Sequence, residues 1–367
     1  MRNLKFGHTA DIHLGYRQYG FQEREQDFCD AFGHVTTRTI DMKLDALIIA
    51  GDIFDMPKPP AHIVRFLVEQ VRRLQAAGIV VLGIDGNHDV TNGNWLRVCG
   101  ITVLEPGEVT VLGGVSIVGL HGMRPTLFHK YLDEMVANGT KADVFVLHQA
   151  LGEMADFDAQ EITALELAPK LTKLGVKYVA MGDIHSYKEM VMGGIRFVYP
   201  GSTEVNKIDE VQDKTFSVVQ VGETPEGEAQ VQTALEPIRT RPILEMNLRA
   251  EADLDTLLSK LNGIDPLAIL WYERENKELA QRAEIILRDK NIMHRICPMS
   301  AANLDGIATQ LARQQFERKG ALLQLKDAVG AFFEESSEEY ELVFQMLDSP
   351  DSVNNTVEQY LRTKGVK

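Results

Sequence analysis

The stretch DALIIAGDIFD, residues 45–55, joins an unbroken apolar run to a glycine and an aspartate. A short apolar run without alternating polar positions, closed by Gly51, is typical of a strand that is buried on both faces of a sheet. Asp52 would then lie just past the strand, where such sheets carry their binding sites. The stretch therefore predicts an α/β fold with a site at the ends of its strands.

Four further stretches repeat this arrangement of an apolar run followed by polar residues. They are FGHTADIH (6–13), GIVVLGIDGNHD (78–89), DVFVLHQ (143–149) and VKYVAMGDIH (176–185). Residues 60–77 carry apolar side chains at helical spacing, which predicts a helix between two of the strands.

The tripeptide Asp-Ile-His occurs twice, as residues 11–13 and as residues 183–185. In an extended chain, residues i and i+2 point to the same side, so the aspartate and the histidine of each copy are expected to point together. Each copy would then supply one oxygen and one nitrogen ligand to a shared centre. Gly51, Gly86 and Gly182 would let the backbone turn sharply and approach a ligand closely.

The candidate functional residues share a position at the end of a predicted strand. They are Asp11, His13, Asp52, Asn87, His88, His148, Asp183 and His185. One histidine at a strand end is usually a structural residue, and one Gly-Asp pair is common turn chemistry, but recurrence at five strand ends favours a metal site. Carboxylates, imidazoles and an amide, without thiolates, suit manganese, magnesium or iron. So many ligands favour two adjacent ions that share one carboxylate.

Composition places the chain among intracellular proteins. Of its 367 residues, 44% are apolar, and its three cysteines form no CxxC pair, which indicates reduced thiols in the cytoplasm. We find no signal peptide and no apolar run that approaches the roughly 20 residues of a membrane span, so no membrane association is expected. A net charge of −15 argues against broad attraction to nucleic acid, although bound cations could still contact phosphates.

The ordered motifs DIH, GDIFD, GNHD, LHQ and GDIH resemble the signature of calcineurin-type metallophosphoesterases. The longer stretches ADIHLGY, AGDIFDMPKPP, HGM and VYPGSTE resemble, within that group, the SbcD-type nucleases of DNA double-strand-break repair. The resemblance implies a two-sheet α/β sandwich flanked by helices, with a small α/β capping domain and a C-terminal helical hairpin.

The resemblance also implies a role for each site residue. Asp11, His13 and His185 would hold one divalent ion, and Asn87, His148 and Asp183 would hold the second. Asp52 would bridge the two ions, and His88 would be catalytic without binding metal. Asp183 departs from the family, in which many members carry histidine there. We expect manganese, with magnesium as the alternative, as the ion.

Four segments are expected along the chain. Residues 1–237 would form the nuclease domain, 238–300 a DNA-capping α/β domain, 301–335 a helical linker and 336–367 a helical docking segment. The resemblance implies that this last segment binds an SMC-like coiled-coil ATPase of the SbcC type. It also implies a homodimer, for which Ile63, Phe66, Leu67 and Trp95 are candidate contacts.

The sequence is thus interpreted as a metal-dependent nuclease that processes DNA ends within a break-repair complex. One alternative is a metallophosphoesterase that acts on nucleotides or phosphoproteins through the same site. Another is a noncatalytic scaffold for DNA ends, which the unusual Asp183 leaves open.

Overall fold

The structure is a computed structural model that describes residues 2–89, 94–155, 162–208, 210, 213–225 and 227–299. The runs predicted as strands form strands, and the helix predicted at residues 60–77 is present. In chain order the first elements are β1 (Leu4–Thr9), α1 (Gln22–Asp41), β2 (Ala46–Ala50), α2 (Ala61–Ala76), β3 (Val80–Ile84), α3 (Asn94–Val98), β4 (Thr102–Val103), β5 (Thr110–Leu112), β6 (Val115–Leu120), α4 (Pro125–Ala137) and β7 (Val144–His148).

The second half of the described chain continues the alternation and then adds antiparallel strands. Its elements are α5 (Ala164–Leu174), β8 (Tyr178–Gly182), β9 (Lys188–Met192), β10 (Ile195–Tyr199), β11 (Thr215–Glu223), β12 (Ala229–Pro237), β13 (Ile243–Leu248), α6 (Ala252–Lys260), β14 (Leu267–Tyr272), α7 (Lys277–Asp289) and β15 (His294–Pro298). The residues predicted as linker and docking segment, 301–335 and 336–367, lie outside the described residues.

Two six-stranded sheets contain the strands that carry candidate site residues. The first has the order β12-β11-β1-β2-β3-β4 and the second β5-β6-β7-β8-β10-β9. Strands β1, β2 and β3 are parallel to one another, as are β6, β7 and β8. Because parallel strands end at one edge of their sheet, the polar residues that follow them are brought together.

The two sheets pack face to face and each is covered by helices on its outer face. Phe6 and Ile48 of the first sheet and Val146 of the second belong to the fully buried layer between them. On the outside, α1 and α2 cover the first sheet through residues such as Phe32, and α4 and α5 cover the second through residues such as Phe128. This four-layer arrangement confirms the predicted sandwich.

The apolar stripe of α2 faces this chain's own core. Ile63 and Leu67 are buried against the first sheet, at 1% and 0% exposure. Both were candidate dimer contacts, and that part of the prediction is wrong because their surfaces are already covered within the chain. Phe66 and Trp95 are only partly buried.

A division of the chain into two compact units assigns Met1–Glu245 and Lys260–Ala268 to the first. The second contains Met246–Ser259 and the described residues from Ile269 onward. The strands predicted after residue 238 form a small sheet of order β13-β14-β15. Leu257 of α6 and Leu287 of α7 are fully buried, as expected for amphipathic helices on such a sheet. Within the described residues, no helix combines the length and the apolar character that a membrane crossing needs.

His8, which lies in β1 three residues before Asp11, is buried in the core between the sheets. Its Nε2–H donates to the Met181 carbonyl at 3.1 Å, and its Nδ1 accepts from the Tyr178 hydroxyl at 2.8 Å. Full burial lowers the pKa of His8 to about 3, although the bond to Met181 opposes the shift. The neutral ring therefore joins the two sheets.

We expect His8→Leu to destabilise the protein at pH 7.5 and the deficit to shrink in acid. Below the ordinary histidine pKa of about 6.5, the unfolded wild type binds a proton that the folded wild type refuses. The free energy of unfolding of the wild type therefore decreases as the pH is lowered. The variant has no histidine at position 8 and lacks this decrease. The gap should narrow by about 2 kcal/mol between pH 7.5 and pH 5 in urea unfolding without metal. An unchanged gap would show that His8 is not held neutral.

Candidate metal centre

The polar loops that follow the strands are joined to one another by backbone hydrogen bonds. The N–H of Asp11 donates to the Gly51 carbonyl at 3.1 Å, and that of Ile12 donates to the Asp52 carbonyl at 2.8 Å. The loops after β1 and β2 are thereby fixed side by side. Their carboxylates point into one region at the edge of the two sheets.

Four of the candidate ligands have backbone conformations that side chains other than glycine rarely adopt. The φ angles are 51° for Asp11, 48° for His13, 49° for Asp52 and 98° for Asp183. The Asp11 and His13 side chains do come together, but the expected cause, an extended chain, is wrong. The two side chains meet through left-handed turns, whose cost of about 1–3 kcal/mol each the surrounding structure must supply.

Three groups of side chains place potential ligand atoms within 4.8 Å of one another. The groups are Asp11, His13 and His185; His13, Asp52 and His88; and Asp11, Asp52 and His148. Shared members join the groups into one centre, because Asp11, His13 and Asp52 each belong to two of them. The first group is the predicted first-ion set without its bridging carboxylate.

Asp183 and Asn87 lie at the margin of this centre. The Asp183 Oδ1 atom is 3.8 Å from the His148 Nε2 atom and accepts from the Asn87 amide at 3.4 Å. These three residues are the predicted second-ion set. The structure therefore brings all seven predicted ligands and His88 to one edge of the sandwich.

The His148 ring shows that the residues fit a cation. Its Nδ1–H donates to the Ala50 carbonyl at 2.8 Å, so its Nε2 atom is the one that faces the centre. The nearest carboxylate oxygens, on Asp52 and Asp11, lie 3.4 and 3.9 Å from Nε2. Among the described residues, this buried atom has no hydrogen-bond partner. A divalent ion would satisfy the nitrogen and neutralise the carboxylates together.

The electrostatics of the centre also favour a cation. Burial raises the pKa of Asp11 to about 6. Burial would also raise the pKa of Asp52, but the imidazoles of His148 and His13 hold it below the ordinary value. Burial would lower the pKa of His148, yet the carboxylates raise it well above its usual range. A proton on His148 thus supplies the positive charge that an ion would replace.

Three glycines allow the ligands to approach so closely. A Cβ atom on Gly51 would lie 2.3 Å from the His148 ring, and one on Gly86 would lie 2.0 Å from the Asp52 carboxylate. One on Gly182 would lie 2.1 Å from the Ala50 carbonyl. The predicted need for glycine at these positions is confirmed. The close neighbours are the ligand side chains themselves and the strand beside them.

Two carboxylates that hold the centre together were not singled out from the sequence. Asp89, within the GNHD motif, accepts from the N–H groups of Gly86 and Ile53, both at 2.7 Å. Glu210 accepts from His185 Nδ1 at 2.8 Å. Asp89 could have been noticed as part of its motif. Glu210 has no local signal, because it reaches the site from 25 positions along the chain.

His88 is exposed, as is Asn87, whereas the other candidate residues are buried or partly buried. Its backbone N–H donates to the Asp52 carboxylate at 2.9 Å, and its ring donates from Nδ1 to the Asp55 carbonyl at 3.1 Å. The Nε2 atom is left for a substrate. His121 of the HGM motif accepts from the Asp85 N–H at 2.8 Å, which is a structural role.

A family model described as Calcineurin-like phosphoesterase matches residues 4–187, half of the chain. This chain belongs to the calcineurin-like phosphoesterase family. The matched region contains β1 to β8 and all eight candidate functional residues. The match therefore covers all eight candidate residues and leaves out β9 to β15.

Curated relatives of this phosphoesterase carry the name DNA double-strand break repair protein Mre11. That of Methanosarcina mazei is 30% identical over 230 residues, which cover 59% of this chain and 36% of that protein. That of Haloferax volcanii is 30% identical over 268 residues, which cover 70% of this chain and 58% of that protein. The match spans about a third to just over half of these relatives' own length.

We expect Asp52→Ala to abolish binding of two divalent ions, because the Asp52 carboxylate is shared between ligand groups. Calorimetry with Mn²⁺ and elemental analysis measure this. Asp143→Ala is a matched control, because Asp143 is also buried and hydrogen-bonded but lies at the opposite end of β7. Two ions retained by Asp52→Ala would contradict the ligand assignment.

The same two measurements on His88→Ala should show that both ions are kept, because the exposed ring lies beside the centre as an acid or base and is not a ligand. Hydrolysis of bis(p-nitrophenyl) phosphate should fall about 10²- to 10⁴-fold, the usual effect of removing a general acid or base. Loss of an ion in this variant would instead make His88 a ligand.

Proposed function

We propose that this phosphoesterase is a metal-dependent DNA nuclease, the nuclease subunit of a complex that processes DNA ends in double-strand-break repair. The observation that carries the proposal is the sharing of Asp11 and Asp52 between ligand groups in one centre. A shared carboxylate is what two adjacent ions need, and paired ions are suited to phosphodiester cleavage. The names of the curated relatives support DNA as the substrate.

Two bound divalent ions would supply Lewis acidity for the phosphate and a water that ionises near neutral pH. The chain's own residues would do the rest. Asp11, Asp52 and Asp183 repel a phosphodiester unless cations intervene, so close approach of DNA to the centre should require metal. This reconciles a net charge of −15 with a polyanionic substrate.

His88 would act on the leaving oxygen. Its ring is oriented by the bond from Nδ1 to the Asp55 carbonyl, so Nε2 is the nitrogen left for a substrate. In the cationic ring, Nε2–H can donate its proton to the oxygen that departs from phosphorus. The edge-to-face contact with the His13 ring, at 4.9 Å between centroids, holds the imidazole beside the ligands.

Manganese is the ion that we propose, with magnesium as the alternative. The proposed ligand set is Asp11, His13, Asp52, Asn87, His148, Asp183 and His185. Oxygen donors from carboxylates and an amide, mixed with imidazole, match the preference of these ions better than that of softer ones. Asp183 strengthens the oxygen character of the set.

We further propose that the chain works with an SMC-like coiled-coil ATPase, bound through residues 336–367, and with a second copy of itself. The docking segment lies outside the described residues. Of the predicted dimer contacts, the partly buried Phe66 and Trp95 remain available. A monomer by light scattering at micromolar concentration would contradict the dimer.

A reducing cytoplasm is the proposed location. Cys29, Cys99 and Cys297 are free and buried. Disulfide bonds in protein isolated from its native cells would contradict this location.

Two other functions use the same centre. A phosphatase for nucleotides or phosphoproteins would have no evident use for the α/β module of β13 to β15. A noncatalytic scaffold would have the same fold and would bind DNA ends without hydrolysing them. Both are outcomes of the experiment below.

We expect the full chain with Mn²⁺ to shorten end-labelled linear duplex DNA and to hydrolyse bis(p-nitrophenyl) phosphate. Asp143→Ala should do both, and Asp52→Ala should do neither. Hydrolysis of phosphomonoesters or nucleotides without DNA cleavage would identify a phosphatase. Bound metal without any hydrolysis would identify a scaffold. The docking segment is tested by adding the ATPase to the full chain and to a variant that lacks residues 336–367. Only the full chain should gain ATP-dependent cleavage.

Asp183→His should move the metal preference from manganese and magnesium toward zinc and cobalt, because an imidazole replaces a hard oxygen ligand. Activity against bis(p-nitrophenyl) phosphate across the four ions measures the shift. Glu189→Gln, an exchange on the exposed side of β9, is the control and should leave the profile unchanged. An unaltered profile in Asp183→His would remove Asp183 from the ligands.

A further inference from the structure

The His185 ring is held from the side opposite to the candidate centre. Its Nδ1 atom lies 2.8 Å from the Glu210 carboxylate and 3.1 Å from the side-chain amide of Asn206. Its Nε2 atom lies 3.3 Å from the Nε2 atom of His13, so the two rings direct these nitrogens at the same place. A ring that donates from Nδ1 keeps the Nε2 lone pair free for a metal ion.

The Asn206 amide fits this role in one orientation. Within the described part of the chain, its Oδ1 atom is buried without a hydrogen-bond partner, whereas its Nδ2 atom faces the His185 Nδ1–H. Turning the amide by 180° exchanges two atoms of nearly equal size and makes Oδ1 the acceptor. His185 then donates to both Glu210 and Asn206. Both neighbours select the same tautomer.

Lys214 fixes the carboxylate that holds the ring. Its Nζ atom, almost fully buried, donates to Glu210 Oε2 at 2.8 Å, to Ser202 Oγ at 2.9 Å and to the His185 carbonyl at 3.0 Å. The other contact of Glu210 Oε2 is the Asn206 N–H at 3.0 Å. Both oxygens of Glu210 are therefore engaged, which leaves its carboxylate one position.

The network continues through Gln18 to Arg24 in the first turn of α1. Gln18 donates from Nε2 to the Asn206 carbonyl at 2.7 Å and accepts from Arg24 Nε at 2.8 Å. Arg24, at 0% exposure, also donates to the Val205 carbonyl at 2.9 Å and pairs with Glu204 at 3.2 Å. Arg24 thus fixes the segment from which Asn206 reaches His185.

We propose that Glu210 and Asn206 are positioning residues that fix the tautomer and direction of His185, and that Arg24 holds them in place through Gln18. The inference rests on the proposed metal centre and deepens it. Replacing buried ion pairs by apolar residues is often neutral or stabilising, so stability alone is a weak reason for this network. The network ends at the His185 ring, which faces the other ligand atoms, and this gives a functional reason for the network.

Mn²⁺ binding measured by calorimetry on the full chain tests the proposal. Glu210→Ala should weaken one of the two sites about 10- to 100-fold, the usual effect of removing a partner of a metal-binding histidine. Glu210→Gln should recover only part of this loss, because its amide oxygen can accept from His185 while its NH2 group faces the donors of Lys214 and Asn206. Gln18→Leu, which keeps the volume, should weaken the same site about five-fold, which corresponds to about one net hydrogen bond.

Asp143→Ala provides the matched control. The Asp143 and Glu210 side chains are 8% and 9% exposed, and both carboxylates bind one cationic side chain and one backbone N–H. The melting temperature should fall in Asp143→Ala while Mn²⁺ affinity stays at the wild-type value. An equal loss of affinity in this control would reduce the network to a general effect on stability and overturn the proposal.

The remaining outcomes separate this inference from the proposed function. Wild-type Mn²⁺ affinity in Glu210→Ala, with both ions lost in Asp52→Ala, would overturn the positioning role alone. If Glu210→Ala does not fold, Asn206→Ala and Gln18→Leu decide the matter, and unchanged affinity in both overturns it. If the variants show the expected Mn²⁺ affinities but the wild-type chain does not cleave DNA, the positioning role stands and the proposed nuclease function is wrong.

Discussion

Negative charge collected at one edge of the two sheets is the constraint on which the rest of the structure depends. Asp11 and Asp52 are buried beside the same His148 nitrogen, and Asp89 is buried behind them. Little water reaches these groups to screen their repulsion. Backbone N–H donors and imidazoles offset part of it, and divalent ions would offset the remainder. The need for a cation is therefore a property of the fold before any substrate is considered.

The same edge also concentrates backbone strain. Asp11, His13, Asp52 and Asp183 adopt positive φ angles, and three glycines give the side chains room to meet. Parallel strands on one side and hydrogen bonds between the loops on the other hold these conformations in place. A rigid sandwich thus supplies the free energy that keeps the ligands preorganised for a cation.

Support for the centre extends well beyond the residues that would touch an ion. Glu210, Asn206 and Lys214 arrange His185, and Arg24 anchors their segment from inside α1. Polar networks of this depth are costly when a member is missing, because the partners stay buried without compensation. Stability and metal geometry consequently depend on some of the same residues.

The sequence alone predicted the strands that carry the candidate residues, the helix at residues 60–77 and which polar residues follow those strands, because short-range hydrophobic patterns and turn residues report on local structure. Tertiary structure decided the rest. It replaced the expected extended geometry at Asp11 and His13 with left-handed turns, and it buried Ile63 and Leu67 in this chain's own core. It also brought Glu210 to His185 and Arg24 to Val205. Such contacts join residues far apart in the chain, so no local pattern in one sequence can encode which partners meet.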